Sequence, residues 1–256
     1  MTFQFRPALA IAVATTVAIL IALGVWQLQR RDWKLDLIHQ TERLAEAPPI
    51  PFDEALARAS AGEKMEYAPV YLSGVYAHDL EARIFGTLDG APGVYIFTPL
   101  DAHDPKSGGR RFVYVNRGFA PQALSEPEAR TDGAPQGEVT VEGLLRAAEI
   151  PPAIASLFRP ADQPADNLWF TRDPVRFASH HGVETVAWYI DGSGGETGGA
   201  RWPKGGTTRI AFPNNHLDYA LTWFGKAMRV VPPFGHRAPP VSPPEPSMYH
   251  ATVSTP

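Results

Sequence analysis

The sequence predicts a membrane-anchored, mainly β protein of the α+β class: an N-terminal transmembrane helix followed by an antiparallel barrel- or sandwich-like domain. Three observations carry this expectation. Between Arg6 and Arg30 lie 23 residues without a charge, and Ala8 to Trp26 is almost wholly apolar. About 20 such residues are needed for a helix to cross a hydrocarbon core of ~30 Å. Beyond residue 62 the chain breaks into about seven short segments with β-type patterning. Glycine and aspartate turn clusters separate them, as expected of a closed or two-layered antiparallel sheet.

Residues 8–46 are expected to form the span and a water-exposed extension. The apolar run exceeds the ~7–15 residues of a cleaved signal's hydrophobic core, and no small-residue cleavage site follows. Instead the text reads Trp26-Gln27-Leu28-Gln29-Arg30-Arg31-Asp32-Trp33-Lys34. Trp26 and Trp33 suit the water–lipid interface, and Arg30, Arg31 and Lys34 suit headgroup anchoring. Good helix formers continue to Glu46, and Pro48-Pro49 ends the run. By charge count, three cations after the span against Arg6 and the α-amine before it favour a cytoplasmic domain, a rule that long domains override.

Residues 47–62 read as a Pro-rich hinge and a short helix, Phe52 to Ser60. The β-rich domain, 63–212, has strands predicted over Tyr67–Ala77, Arg83–Thr87, Val94–Leu100, Arg111–Phe119, Glu138–Ala147, Leu168–Thr171 and Glu184–Ile190. Asp89-Gly90, Ser107 to Gly109, Asp132-Gly133 and Gly192 to Gly199 supply turns, and Pro174 to His181 a short helix.

Composition excludes several classes. The 256 residues carry a net charge of −4, which gives no reason to expect nucleic acid. The absence of cysteine excludes disulfides, thiolate-ligated zinc and cysteine nucleophiles. There is no G-x-S-x-G, H-E-x-x-H or Walker loop, and no catalytic residue is assigned. A hydrolase or haem-modifying enzyme therefore lacks a sequence signature. The glycines at 192–195 read as a turn and His180-His181 as surface histidines.

The one segment that suggests ligand chemistry is Pro213 to Phe224. Asn214 or Asn215 suits a helix cap. In a helix, His216, Tyr219, Ala220 and Trp223 recur at i, i+3, i+4 and i+7 and share a face. Such a face can seat a flat porphyrin, with the imidazole as axial iron ligand. A packing face holding one satisfied histidine has the same pattern.

These residues also carry a resemblance. The chain resembles the Surfeit locus protein 1 family, the Shy-type assembly factors of cytochrome c oxidase. The similarity runs through Leu23 to Lys34, Gly74-Val75-Tyr76, Gly93 to Leu100, Val115 to Pro121 and Val141-Glu142-Gly143. It continues through Asn167 to Phe170 with Arg172-Asp173, and Thr208-Arg209-Ile210 leading into Asn214 to Phe224. The resemblance implies a β domain outside the cytoplasm, a partner in oxidase subunit I, a possible link to haem A synthase, and handling of haem a. It marks His216 as the candidate iron ligand. Tyr219 and Trp223 would flank the haem, and Arg30 would meet a propionate. Trp26, Gln27 and Arg30 would alternatively pack against a second span or anchor at the interface. A non-catalytic role follows, with membrane lipid as a further partner; a scaffold that holds subunit I without haem is the alternative. With the span beginning by residue 8, a bacterial inner membrane with the β domain in the periplasm is expected.

The family's second span should follow Trp223-Phe224. Here 213–228 reads only as its start: Asp218, Lys226 and Arg229 leave seven uncharged residues, Tyr219 to Gly225. Residues 229–256 read as a Pro-rich disordered tail. Two expectations are open, a shifted reading frame near codons 225 to 230 or a one-span variant.

Overall fold

The computed structural model describes residues 7–103, 108–152, 154, 158–195, 199–207 and 214–230. The chain divides into two compact units, Met1–Trp33 with Asn214–Pro256, and Lys34–Pro213. Of the Pro-rich tail expected over 229–256, Arg229 and Val230 are helical, and 231–256 lies outside the described residues, as does the Thr208-Arg209-Ile210 motif.

Helix α1, Pro7–Ala45, is one uninterrupted element of 39 residues. Proline at its first position costs no hydrogen bond, because that N–H would be unpaired anyway. At 1.5 Å per residue the helix is about 58 Å long, roughly twice a hydrocarbon core. Its apolar part qualifies as a candidate membrane span. Leu9 and Ile11 are 61% and 67% exposed, and Gly24 is the helix's one buried residue. An unburied apolar surface of that extent needs a non-aqueous surrounding, which fits a membrane-anchored protein.

The Lys34–Pro213 unit contains a mainly antiparallel β barrel. Strand β1 (Ile50–Pro51) leads into helix α2 (Phe52–Ser60). Asp53 and Glu54 in its first turn and Arg58 in its last complement the helix dipole. Strands β2 (Pro69–Tyr76), β3 (Ala82–Leu88), β4 (Ala91–His103), β5 (Arg110–Pro121), β6 (Glu138–Ala147), β7 (Leu168–Trp169) and β8 (Trp188–Gly192) follow. The pairing order is β1-β2-β6-β8-β5-β4-β3-β7, and an additional β2–β4 pairing closes the ring β2-β6-β8-β5-β4. The β3–β4 hairpin turns at Asp89 (φ 52°) and Gly90 (φ 85°), two left-handed residues in succession. Such a pair matches the twist of the flanking strands.

The barrel interior is apolar. Val70, Leu72, Leu100, Val113, Val115, Val141, Leu145 and Ile190 fill it, and α2 adds Phe52 and Ala55. A second core covers the outer wall beneath helix α3 (Pro174–His181), where Phe97, Tyr114, Trp169, Phe177 and Tyr189 interlock. Asp173 caps α3 through the Val175 N–H at 3.1 Å.

The structure corrects three strand expectations. The strand expected to start at Tyr67 starts at Pro69, because Tyr67 takes φ 70°. The strand expected over Leu168–Thr171 ends at Trp169. There the Asp162 carboxylate accepts from the Phe170 N–H at 2.7 Å, diverting it from a ladder, and from the Thr171 hydroxyl at 2.9 Å. The last strand is Trp188–Gly192 rather than Glu184–Ile190. Its ladder to β6 begins only where Ala147 meets Trp188.

Candidate functional site

Helix α4, His216–Val230, belongs to the same unit as the first 33 residues and packs on α1. Small residues make the close approach. Ala220 and Ala227 are buried, and Gly24 on α1 faces the Phe224 ring so closely that a Cβ there would collide with it. The imidazole Nδ1 of His216 lies 2.8 Å from the Gln27 Oε1. Two residues 189 positions apart thus meet, one in the span-end motif and one in the first turn of α4.

The expected stripe on α4 is divided by this packing. Ala220 is fully buried, His216 and Trp223 are half-buried, and Tyr219 is 56% exposed. The Lys226 ammonium sits 4.5 Å from the Trp223 ring centre. On α1, Trp26 is exposed, and the Arg30 guanidinium stacks over the Trp33 ring at 3.9 Å. Arg31 lies 3.4 Å from Asp32. Lys34, the first residue of the other unit, is half-buried. The structure therefore joins His216 to Gln27 and places Arg30 on Trp33. The role of Gln27 was not specific in the sequence. Its signal was a polar side chain one turn from a small residue, at the end of an apolar run.

Helix α4 carries Asp218, Lys226 and Arg229. Among the described residues only α1 is long and apolar enough to span. No group of three or more His, Asp or Glu side chains that could hold a metal ion is found among the described residues. His180 and His181 end α3 with their rings 5.0 Å apart, edge to face. Burial, and then the charge of His180, hold His181 below its ordinary pKa of 6.5.

The barrel wall carries a polar network that the sequence did not signal. Asn116 donates to Asp191 at 2.7 Å, and Arg146 donates to the other Asp191 oxygen at 2.8 Å. The Arg146 Nε donates to Glu66, which also accepts from the Ala147 N–H, both at 2.8 Å. Burial alone would lower the Arg146 pKa, but Tyr189, Asp191 and Glu66 outweigh it and raise it. Elsewhere Arg130 pairs with the buried Glu81; burial still raises that carboxyl above its ordinary value, against the pull of Arg130. Fully buried Arg117 donates to the Gly133 carbonyl and lies over the Tyr76 ring at 4.7 Å. Its neighbour Gly118 has φ 115° and abuts the Lys204 carbonyl, so no side chain fits there. These charges hold one another and the backbone, which suits a structural role.

Comparison with known proteins places this geometry in a lineage. The SURF1 family model matches residues 14–228. Surfeit locus protein 1 of Rattus norvegicus is 34% identical over 218 residues, covering 79% of this chain and 67% of its own. That of Homo sapiens is 34% identical over 223 residues, covering 79% and 68%. That of Xenopus tropicalis is 34% identical over 235 residues, covering 85% and 70%. The match takes in the Gln27 motif, the whole barrel and the first turns of α4 with His216, and the chain belongs to the SURF1 family.

Proposed function

We propose that this chain is a non-catalytic assembly factor for cytochrome c oxidase that holds haem a through His216 and assists its insertion into subunit I, with haem A synthase as a possible supplier. Membership of the SURF1 family, known as cytochrome c oxidase assembly factors, supports the assembly role. The haem reading rests on one observation: the half-buried imidazole of His216 is hydrogen-bonded to the span-end motif through Gln27. Neutral imidazole is an established iron ligand, and ligating histidines commonly have their second nitrogen engaged in this way. When bound, haem a supplies the redox-active iron of the oxidase. This chain's task is to hold and release it. One protein ligand suits that task, because a closed ligand set would resist transfer. Trp223 would flank the ring, with Tyr219 at its exposed margin. Arg30 would have to leave the Trp33 ring to meet a propionate.

We place the chain in a bacterial inner membrane with the barrel in the periplasm. Family resemblance supports this side, whereas the cations Arg30, Arg31 and Lys34 after the span count against it. Alkaline phosphatase fused after residue 207 should be active in cells; an inactive fusion with an active cytoplasmic reporter overturns the orientation.

The deciding experiment loads the full chain with haem a in detergent and compares it with His216→Ala. Loss of visible haem absorbance in the variant is expected. Unchanged bound haem would overturn the ligand assignment. If neither protein takes haem, the scaffold reading replaces it. One observation favours that second reading: Leu217, Leu221 and Met228 leave an exposed apolar surface on α4 suited to a partner helix. Subunit I would then co-purify with both proteins equally.

A further inference from the structure

We infer that Gln27 is the positioning residue for His216: it holds the imidazole as the Nδ1–H tautomer and leaves Nε2 as the nitrogen able to bind a metal. The use of that nitrogen rests on the haem reading above. The tautomer itself is a property of the chain without cofactor.

A neutral imidazole carries one proton, on Nδ1 or on Nε2. The Gln27 Oε1 that faces Nδ1 at 2.8 Å has only lone pairs to offer. In this amide orientation the ring proton lies on Nδ1, directed at that oxygen. The Nε2 lone pair is then available. The opposite amide orientation, with the Gln27 nitrogen donating to Nδ1, would put the ring proton on Nε2 and remove the ligand. The two arrangements predict opposite rings and can be told apart.

The packing explains why this amide reaches this ring. Gly24 lies one turn before Gln27, and the Phe224 ring occupies the space that a side chain at 24 would fill. Ala220, one turn after His216, is fully buried. The seating of the Phe224 ring at Gly24 brings the two helices together next to the amide and the imidazole. Gln27 is half-buried, and an amide left unpaired away from water costs about 1–3 kcal/mol. The hydrogen bond satisfies Gln27 and fixes His216 together.

The test uses the full chain in nanodiscs, free of haem, with ¹⁵N-labelled histidine and a His216→Gln spectrum to assign the ring. The expected result is a protonated Nδ1 in the wild type and a mixed or reversed ring in Gln27→Leu. Gln27→Glu keeps an acceptor at the same reach and should restore the Nδ1–H ring, which separates positioning from misfolding. Haem a titration should then show binding weakened by about tenfold or more in Gln27→Leu, and close to wild type in Gln27→Glu. An Nε2–H ring in the wild type, or the same ring in wild type and Gln27→Leu, overturns the inference. A wild type with the Nδ1–H ring, dependent on Gln27 yet taking no haem, sustains the positioning and overturns the haem reading.

Discussion

The barrel and the helix pair treat their polar side chains in opposite ways. In the barrel, Asn116, Asp191, Arg146 and Glu66 are hydrogen-bonded to one another in a continuous chain, and Glu81 is paired with Arg130. Their bonding capacity is largely used inside the fold, so they fix its geometry. In the helix pair, small residues make the contact, and the imidazole of His216 has one nitrogen engaged with Gln27. No hydrogen bond to the other is found among the described residues. A self-satisfied network of this kind suits a supporting role, although the buried Thr98, Tyr114 and Tyr189 hydroxyls of the same unit have no hydrogen-bond partner among the described residues.

The largest expected effect would break the barrel side of this comparison. Asp191 sits at the centre of the network and its side chain is 1% exposed. Asp191→Leu removes the one buried carboxylate that Arg146 meets and leaves Asn116 without its acceptor. Removing one partner of a buried ion pair typically costs about 3–5 kcal/mol. Denaturant unfolding followed by tryptophan fluorescence should show a loss of that order. Haem uptake by the fraction that remains folded should match wild type. A parallel loss of haem affinity in the folded fraction would mean that the two regions are not separable.

Gly24→Leu tests the other side with a smaller effect. The new side chain meets the Phe224 ring and must push α4 away. Overpacking of this kind costs about 1–3 kcal/mol. The expected outcome is loss of the Nδ1–H signature of His216 and weaker haem uptake. The barrel's unfolding midpoint should not move. A shifted midpoint with an intact signature would reverse the assignment of roles.

Much of this comparison was legible in the sequence, and the gaps have physical reasons. Alternation in Glu138–Glu142 marks a strand because one face is buried, whereas Arg111–Val115 alternates in sequence although Val113, Tyr114 and Val115 are all buried, on both faces of β5. Helices at Phe52–Ser60 and Pro174–His181 are legible from local chemistry: dipole-matched charges in one, an aspartate cap in the other. The parallel pairings β1–β2, β3–β7 and β5–β8 are not, because each joins distant segments and leaves no local pattern. At the site, helical spacing puts His216, Tyr219, Ala220 and Trp223 on one face. It cannot say that Ala220 is buried while Tyr219 stays exposed. Nor can spacing pair Gln27 with His216, since that contact depends on two helices meeting.

The smallest expected effect is a pH dependence confined to the barrel. His181 ends α3, where burial and the neighbouring His180 hold its pKa below the ordinary 6.5, against weaker opposing pulls from the Glu81 backbone and Asp79. The unfolded chain therefore takes up this proton first as the pH falls. The stability His181 contributes is present above pH 6.5 and is lost as the pH drops through its depressed folded value. Buried Glu81 works in the opposite sense: its raised pKa favours the folded state below 4.5, and that contribution fades as the pH rises through the folded value. In a Glu81→Gln background, the unfolding midpoint should fall as the pH is lowered from 7 to 5 (about the range in which histidine titrates), and His181→Gln should flatten that slope. The His216 ring signature should be the same in both backgrounds at pH 7, because the substitutions lie in the other unit. An undiminished slope in the doubly substituted protein would show that another group on the barrel carries the proton linkage.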